Sequence, residues 1–389
     1  MKRTGKRALA LAVLPLLIVL LALPVAAESI DDDLGAASAE IKEEWEAFGG
    51  VIPEEIADLL PAEFFSEDMA LVGESVREAS ALTTVFRTVG KIFGLTFAEN
   101  LGLLARICGI LVLSCTFRVA VGERKGEAGG AISLIATLAI VLMLLEGEGT
   151  KFSQMEHFFD TVRGLCVALI PLMGALYAMG GNVGAAVANH GVMSGFLAIL
   201  ETACSGVAVP LACMLVALAL LDAITGKSSL QSLASLIKRT FTLGLSFFMM
   251  LLTFVLGLQH TLAKGSDTLA LRTVRFAAGS FLPVVGGSVS EALRTVSGSV
   301  AYLRGTVGVG GILVVFFIFL PTFLSVALTR LAFSLSGAVA GLFSCTREQR
   351  FLTELSSIWG YFLAIIACLF VMTVFSLTLL ARTASAIGA

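Results

Sequence analysis

Apolar runs of about twenty residues recur along this chain, and they constrain its fold more than any other feature. Two of the clearest are Val307–Thr329 and Ile358–Leu380. A run of that length crosses the hydrocarbon core of a bilayer as a helix, which satisfies its own backbone groups there. The 389 residues are 57% hydrophobic and only 14% charged, against about 25% charged in an average soluble domain. The sequence therefore predicts an all-α polytopic membrane protein.

Residues 1–27 predict a secretory signal peptide. The basic stretch MKRTGKR precedes the apolar ALALAVLPLLIVLLAL, and Val25 and Ala27 stand at the small-residue positions of a signal-peptidase site. An uncleaved first membrane span is the alternative interpretation. On either one, the chain from Glu28 onward begins on the side of the membrane away from the ribosome.

Residues 28–98 predict a small, acidic, helical head outside the cytoplasm. This stretch holds 16 acidic and four basic residues, a net charge of −12. Ile41, Trp45 and Phe48 recur at helical spacing and predict one apolar face. An acidic head also fits the depletion of Lys and Arg from translocated segments.

A second apolar stripe extends from Met69 to Phe93, with Ser66 as the predicted N-cap. It predicts one long helix. The stripe packs on the head itself or lies on the membrane surface, and a partner-binding face is the alternative.

The body of the chain contains six to eight predicted membrane segments. We assign residues 99–150 to the first two membrane helices, 151–262 to a first membrane repeat and 263–385 to a second. Three connections that carry Lys and Arg are expected in the cytoplasm: GERKGEAGG, DAITGKSSLQSLASLIKRT and SCTREQRFLTEL. The mostly acidic connection EGEGTKFSQMEHFFDTV is expected outside. The predicted segments are Leu101–Val121, Gly130–Leu145, Gly164–Val183, Gly195–Leu221, Thr240–Leu258, Val307–Thr329, Leu331–Phe343 and Ile358–Leu380.

Pro-x-x-Gly occurs twice inside an apolar stretch, at Pro171–Gly174 and at Pro283–Gly286. Proline removes a backbone donor and clashes with the preceding helical turn, so both sites predict broken helices. If Gly164–Val183 crossed the membrane completely, the basic loop with Lys227 would lie outside. A re-entrant element at Pro171 restores the expected orientation.

The two Pro-x-x-Gly sites predict an internal duplication. Asp160–Leu176 aligns with Arg272–Ser288, sharing Thr-Val-Arg and then Pro-x-x-Gly at an offset of 112 residues. Pro210 and Pro321 follow at an offset of 111. Chance similarity between apolar segments is the alternative.

Broken helices at matching places in two repeats are a sequence indication of a transport pathway. Close helix packing is the alternative role of such prolines and glycines. Ionisable residues inside apolar runs are costly and are often functional. The candidate pathway residues are Pro171, Gly174, Pro210, Pro283, Gly286, Pro321, Glu201 and Arg330.

The sequence contains no motif that indicates catalysis. There is no P-loop, dinucleotide fingerprint or hydrolase elbow, and the seven cysteines form no C-x-x-C pair. We therefore predict a protein that is not an enzyme, with no cofactor, no bound metal and no nucleic-acid partner. An energy source, if one is needed, is expected in another chain.

The chain resembles the stage III sporulation protein AE family of endospore-forming bacteria. The residues that carry the resemblance are LLDAITGKSSLQSLASLIKRT, FLPVVGGSVSEALRTVSGSVAYLRGTVGVGG and the span around Pro321. They stand within an architecture of signal peptide, acidic head and polytopic body, and the resemblance covers roughly residues 1–385.

The resemblance implies a membrane subunit of a mother cell–forespore channel that late forespore gene expression requires. It implies the outer forespore membrane as the location, with the head in the intermembrane space. The implied partners are other proteins of the same sporulation operon, including an ATPase and ring-forming subunits, and stage II sporulation protein Q. A homo-oligomer is a further expectation.

Two other hypotheses stand beside the channel subunit. A self-contained secondary transporter of a small solute is favoured by the duplication and the broken helices, although VALIPLMGALYAMGG offers few polar groups to a solute. In a structural scaffold, the Pro-x-x-Gly sites serve packing alone.

Overall fold

The computed structural model describes residues 37–66, 68–121, 127–179, 207–225, 232–244 and 286–385, with isolated positions at 191, 195, 246, 247 and 250. Regular secondary structure in this part of the chain is helical, which confirms the predicted all-α class. The helices are α1 (Ala37–Gly50), α2 (Glu54–Ala57), α3 (Met69–Ala79), α4 (Leu82–Val121), α5 (Glu127–Met179), α6 (Val209–Thr225), α7 (232–244), α8 (Gly286–Leu342) and α9 (Thr346–Ser385).

Four of the described helices are long and apolar enough to cross a membrane. Their apolar parts are Thr83–Thr116, Thr150–Leu176, Gly305–Leu342 and Thr346–Phe375. Val209–Asp222 in α6 is apolar but shorter. These lengths fit a multi-pass membrane protein. The separation predicted between Val307–Thr329 and Leu331–Phe343 is wrong, because α8 continues from one into the other. The predicted total of six to eight segments and the duplication stay predictions, since both depend on residues outside the described ranges.

Helix α5 corrects the predicted layout of the first half of the body. Its 53 residues join two predicted segments, Gly130–Leu145 and the start of Gly164–Val183, through the stretch predicted to be an outer connection. The helix also continues through Pro171 and Gly174 to Met179. The predicted helix break at Pro171 is therefore wrong. The orientation argument for re-entry there loses its basis, because the two segments form one helix.

Helix α5 tolerates Pro171 because of where the proline lies. A helical proline leaves the carbonyl four residues earlier without its donor and crowds it. Here that carbonyl belongs to Val167, and both Val167 and Pro171 lie on the exposed side of α5. The helix can bend slightly there while its buried face stays packed. The second predicted break, at Pro283, lies outside the described residues.

A tight turn at Phe343–Cys345 joins α8 and α9 into a helical hairpin. Ser344 has φ 56°, the left-handed conformation that ends many helices. The Cys345 N–H donates to the Ala340 carbonyl at 2.9 Å and the Ser344 N–H donates to the Gly341 carbonyl at 3.1 Å. These two bonds satisfy the last carbonyls of α8. The predicted basic loop SCTREQRFLTEL is therefore wrong beyond Cys345, because α9 begins at Thr346.

Helix α8 forms the centre of the bundle. Every residue from Gly311 to Leu320 is buried, on all sides of the helix. A helix that is apolar all round needs neighbours all round. It contacts α4, α5 and α9 and also the head helices α3 and α2.

The head folds around Trp45. Its indole N–H donates to the Phe64 carbonyl at 3.0 Å, and its ring packs against Phe48, Phe64 and Phe65. Ile41 and Phe48 are buried beside it, which confirms the predicted apolar face.

The second predicted stripe is interrupted. Helix α3 begins after Asp68, whose carboxylate accepts from the Ala70 N–H at 2.9 Å, so Asp68 replaces Ser66 as the N-cap. The helix ends at Ala79, and Phe86 and Phe93 in α4 are exposed. Only the first part of the stripe belongs to the packed head.

Two glycines let the head dock onto α8. A Cβ atom on Gly310 would lie 2.9 Å from Cη2 of Trp45, and a Cβ atom on Gly73 would overlap the Tyr302 hydroxyl. We call this end of the bundle the head end, and the end at Phe343–Cys345 the turn end. From Gly310 to Phe343 is about 50 Å along a helix that rises 1.5 Å per residue.

Candidate functional site: a polar cluster between the membrane helices

A chain of hydrogen bonds joins α5, α8 and α4 inside the apolar bundle. Lys151 Nζ donates to Thr329 Oγ1 at 2.7 Å, and Thr329 Oγ1 donates to Asn100 Oδ1 at 2.8 Å. Thr329 is completely buried and Asn100 is 4% exposed. We call Asn100, Lys151 and Thr329, together with Trp359, the polar cluster.

Hydrogen-bond chemistry fixes the direction of this chain. An ammonium group only donates, so the Thr329 oxygen accepts from Lys151 and directs its own proton elsewhere. The Asn100 amide presents its oxygen to that proton, because its Nδ2 group donates to the Thr96 carbonyl at 2.9 Å within α4. The three side chains are therefore mutually oriented.

Trp359 adds helix α9 to the cluster. Lys151 Nζ lies 5.8 Å from the centroid of the Trp359 ring, within the range of a cation–π contact. Phe152 stacks on the Trp359 ring, with 5.8 Å between the ring centroids. It also packs against the tilted ring of Phe362, with 5.9 Å between the centroids. A lysine and its neighbour thus hold α5 against α9.

The polar cluster is the place where all four span-length helices meet. Asn100, Lys151, Thr329 and Trp359 each belong to a different one of them. Polar and ionisable groups within membrane segments are expensive, are usually paired, and often mark function. The arrangement can fix the rotation of four helices and can hold a positive charge inside the bundle.

The described residues do not suggest a metal centre. In that part of the chain, no group of three or more His, Cys, Asp or Glu side chains could hold a metal ion. The chemistry of the cluster itself, an ammonium, a hydroxyl and an amide, likewise does not favour metal ligation.

Arg330 lies next to the polar cluster. A Cβ atom on Gly360 would lie 3.1 Å from the Arg330 guanidinium carbon, so that glycine makes room for the arginine on α9. The Ser356 hydroxyl donates to the Arg330 carbonyl at 3.2 Å. Of the described pathway candidates, Arg330 is the one that directly adjoins a cluster residue in sequence.

The other candidates are not gathered at one place in the described structure. Pro171 and Pro210 lie on exposed faces of α5 and α6, while Gly174 and Pro321 are half-buried in α5 and α8. Gly286 is the first residue of α8. Glu201 and Pro283 lie outside the described residues.

Sequence reasoning missed Asn100, Lys151, Thr329 and Trp359. Lys151 stands in EGEGTKFSQMEHFFDTV, which was predicted to be an outer connection because it is mostly acidic. The helical spacing of Phe158, Val162 and Leu165 could have placed this stretch in a helix, although it does not reveal the partners of Lys151.

A second polar contact lies nearer the turn end. Lys238 of α7 forms an ion pair with Glu354 of α9, and its Nζ also donates to Ser357 Oγ at 3.3 Å. The side chains are only 11% and 23% exposed. Lys238 lines a largely apolar groove between α6, α7 and α9.

Reversing one charge of this pair, by Lys238→Glu or Glu354→Lys, is expected to destabilise the bundle by about 2 kcal/mol. That is less than the 3–5 kcal/mol of a fully buried pair, because water reaches part of it. The swapped double variant should recover much of the loss. Thermal unfolding in detergent measures this, with Arg239→Glu on the exposed neighbouring position as the control. If the destabilisation of the double variant equalled the sum of the two single variants, the ion pair would contribute nothing to stability.

The fold and the polar cluster define a helical multi-pass membrane protein with its polar contacts buried between the helices. The family model for stage III sporulation protein AE matches residues 70–384. The chain belongs to that family, as its resemblance suggested, and the family implies a role in sporulation. The stage III sporulation protein AE of Bacillus subtilis (strain 168) is 25% identical over 290 residues, 74% of this chain and 69% of that protein. No solved structure matches the chain.

Proposed function

We propose that this protein is a membrane subunit of a mother cell–forespore channel or secretion-like apparatus that late forespore gene expression requires. The family match carries the proposal, because it covers all four span-length helices and not merely the head. The partners are other proteins of the same operon, including an ATPase and ring-forming subunits. Stage II sporulation protein Q is the partner across the intermembrane space.

The helix directions support a definite orientation for this subunit. Helix α4 follows the head and reaches Thr329 at Asn100, so it runs from the head end toward the turn end. Helix α5 runs back, since Lys151 contacts Thr329 and Phe158 contacts Phe319. In the proposed orientation, the head end faces the intermembrane space and the membrane is the outer forespore membrane.

The basic residues agree with this orientation. Arg124 and Lys125 lie between α4 and α5 in the sequence, and Lys227 lies between α6 and α7. Arg347 and Arg350 follow the turn at the start of α9. Positively charged connections stay in the cytoplasm, so the turn end faces the mother cell, where an ATPase would act.

Co-purification from sporulating cells tests the proposal. A C-terminal affinity tag, mild crosslinking and mass spectrometry are expected to recover a large assembly with an ATPase and ring-forming proteins of the intermembrane space. The tagged strain must first form heat-resistant spores at the untagged level. An unrelated tagged multi-pass protein made in the same cells is the control for nonspecific recovery.

Recovery of the tagged protein alone, or as a plain homo-oligomer, would contradict the apparatus. A self-contained transporter would then be the leading hypothesis. A reporter of late forespore gene expression supplies the second readout, and unchanged expression in a deletion strain would contradict the proposed requirement.

A further inference from the structure

Helices α5 and α8 are too long for a single bilayer to enclose. They contain 53 and 57 residues, which makes them about 80 and 85 Å long at 1.5 Å per residue. A bilayer with its headgroups is about 40–45 Å thick. A helix of this length still rises about 60 Å at a tilt of 40°, the upper end of the range in known structures. Part of the described bundle therefore lies outside the bilayer.

The polar cluster divides the bundle into two halves. Asn100, Lys151 and Thr329 are hydrogen-bonded to one another, so they lie at one height on α4, α5 and α8. We call the part of the bundle between this height and the turn at Phe343–Cys345 the turn-end half. The part between this height and the head is the head-end half.

The exposed surface of α4 changes character at this height. Past Asn100, in the turn-end half, exposed apolar side chains recur: Leu101, Val112 and Leu113. In the head-end half, exposed charged side chains recur: Arg87, Lys91 and Glu99. Phe86 and Leu95 are exposed among these charges, a mixture that is ordinary at a surface facing water. Arg106 is exposed in the turn-end half, but only about 9 Å from Asn100 along the helix, where a long side chain can reach the interface.

Helix α5 shows the same change. In the turn-end half its exposed side chains are apolar where they are described: Ile135, Leu138 and Leu142. In the head-end half its exposed side chains include Glu156, His157, Asp160 and Arg163. Arg163 has a partner within the chain, yet all four side chains remain exposed. Charged groups are costly against acyl chains, so water suits this part of α5 and lipid suits the other.

Helix α8 needs lipid only in the turn-end half. There Leu331, Leu335 and Leu342 are 48%, 45% and 84% exposed. In the head-end half, every residue from Gly311 to Leu320 is buried on all sides of the helix. The apolar character of that stretch is therefore explained by contact with protein. Isolated exposed apolar residues nearby, such as Val371 on α9, are normal on a surface facing water.

The charges of the turn-end half are compatible with a bilayer around it. Arg347 and Arg350 lie within about 6 Å of Thr346 along α9, so their side chains reach the cytoplasmic interface. Lys238 is paired with Glu354. The exposed polar residues Gln349 and Thr353 carry no charge.

The height of the turn-end half matches a bilayer. On α4 it extends from Leu101 to Val121, the end of the helix. These 21 residues rise about 30 Å, which is the thickness of the hydrocarbon core.

We propose that the bilayer surrounds the turn-end half alone, and that the head-end half projects from it as a water-exposed helical stalk that carries the head. The polar cluster then lies at the outer surface of the membrane, a height at which Lys and Trp side chains are common. This inference deepens the proposed function and rests on it for the compartment, which is the intermembrane space. The surface available to proteins in that space is then the stalk as well as the head.

Spin-label accessibility in vesicles tests the proposal. The seven native cysteines are replaced with alanine or serine, and this background must still support heat-resistant spores. The full-length protein is reconstituted in vesicles of phosphatidylethanolamine and phosphatidylglycerol. Labels are placed singly at Leu142→Cys and His157→Cys on α5, with Leu113→Cys and Lys91→Cys as the matched pair on α4. Collision with oxygen reports acyl chains, and collision with a water-soluble nickel chelate reports water.

The ratio of oxygen to nickel collisions should be at least fivefold higher at Leu142→Cys than at His157→Cys, and likewise at Leu113→Cys than at Lys91→Cys. The opposite order would place the head-end half in the bilayer and overturn the proposal. Equal ratios would overturn the boundary at the polar cluster. Labels at His157→Cys and Lys91→Cys that neither reagent reaches would overturn the exposure of the stalk to water.

Images of single particles in lipid nanodiscs provide an independent readout. From Thr329 to Gly286 is about 65 Å along α8, so the protein should project by about that height on one side of the disc only. Projections on both sides would contradict the placement. Either failure would leave recovery of the apparatus by co-purification unchanged, so the proposed function and the stalk can fail separately.

Discussion

Replacing Gly310 with leucine is expected to separate the head from the membrane bundle. Gly310 lies beneath Trp45, and a Cβ atom there would be 2.9 Å from Cη2 and 3.3 Å from Cζ2 of the indole. The indole cannot retreat, because it is completely buried and hydrogen-bonded to Phe64. A larger side chain must displace the whole aromatic group.

Overpacking of this kind costs about 1–3 kcal/mol, which shifts a docking equilibrium by roughly 5–150-fold. The head should become more sensitive to protease in solubilised membranes by a factor in that range. The number of heat-resistant spores should decrease as the head undocks, if the docked head belongs to the working assembly. The rate at which N-terminal fragments appear during protease digestion measures the change in protease sensitivity.

Gly305→Leu is the matched control for this prediction. It lies one and a half turns earlier on the same helix, and a Cβ atom there has nothing within 4 Å. It brings the same gain in helix propensity as the Gly310 change, so any difference between the two variants reports the contact with Trp45. Equal protease sensitivity in the two variants would refute docking of the head at Gly310.

The sequence predicted the elements whose burial follows from composition. The apolar runs Val307–Thr329 and Ile358–Leu380 identified the parts of α8 and α9 that are long enough to cross a membrane. The head face at Ile41, Trp45 and Phe48 followed from helical spacing. Each of these predictions depends on neighbours in sequence, and each was confirmed.

Helix α5 was misread for a physical reason. It carries charged residues on one face through the middle of its length, so its average polarity resembles that of a loop. Periodicity separates the two faces, but a search for apolar runs does not. Proline added to the error, because Pro171 predicts a break only where the helix cannot bend toward an exposed side.

The polar cluster could not be found from local pattern at all. Its hydrogen bonds join residues 178 and 229 positions apart. Neither Asn100 nor Thr329 indicates a partner in its own local sequence. Only the packing of α4 against α8 brings the two residues together. Arg330 was identified because a charge in an apolar run is visible without knowing its partners.

Thr329→Val is expected to destabilise the bundle by about 1–3 kcal/mol, because it removes a hydroxyl that serves two neighbours. Valine keeps the shape, so packing is largely preserved and the loss reports hydrogen bonding. The Asn100 oxygen loses its donor from Thr329, and the Lys151 ammonium loses an acceptor. Thr378→Val is the control, since that half-buried hydroxyl donates to Val374 of its own helix. Thermal unfolding in detergent compares the two variants.

Lys151→Met separates the charge of the polar cluster from its hydrogen bonds. Lys151 is half-buried, so removing its charge also removes part of a desolvation cost, and Thr329 still donates to Asn100. Lys151→Met should therefore destabilise the bundle less than Thr329→Val.

Spore formation then discriminates between two roles of the polar cluster. If cells with a stable Lys151→Met protein form normal numbers of heat-resistant spores, the cluster only holds four helices together. A stable protein that loses them means that the positive charge itself is used. We expect the second result, since an uncharged polar side chain could donate to Thr329 without the desolvation cost of an ammonium group.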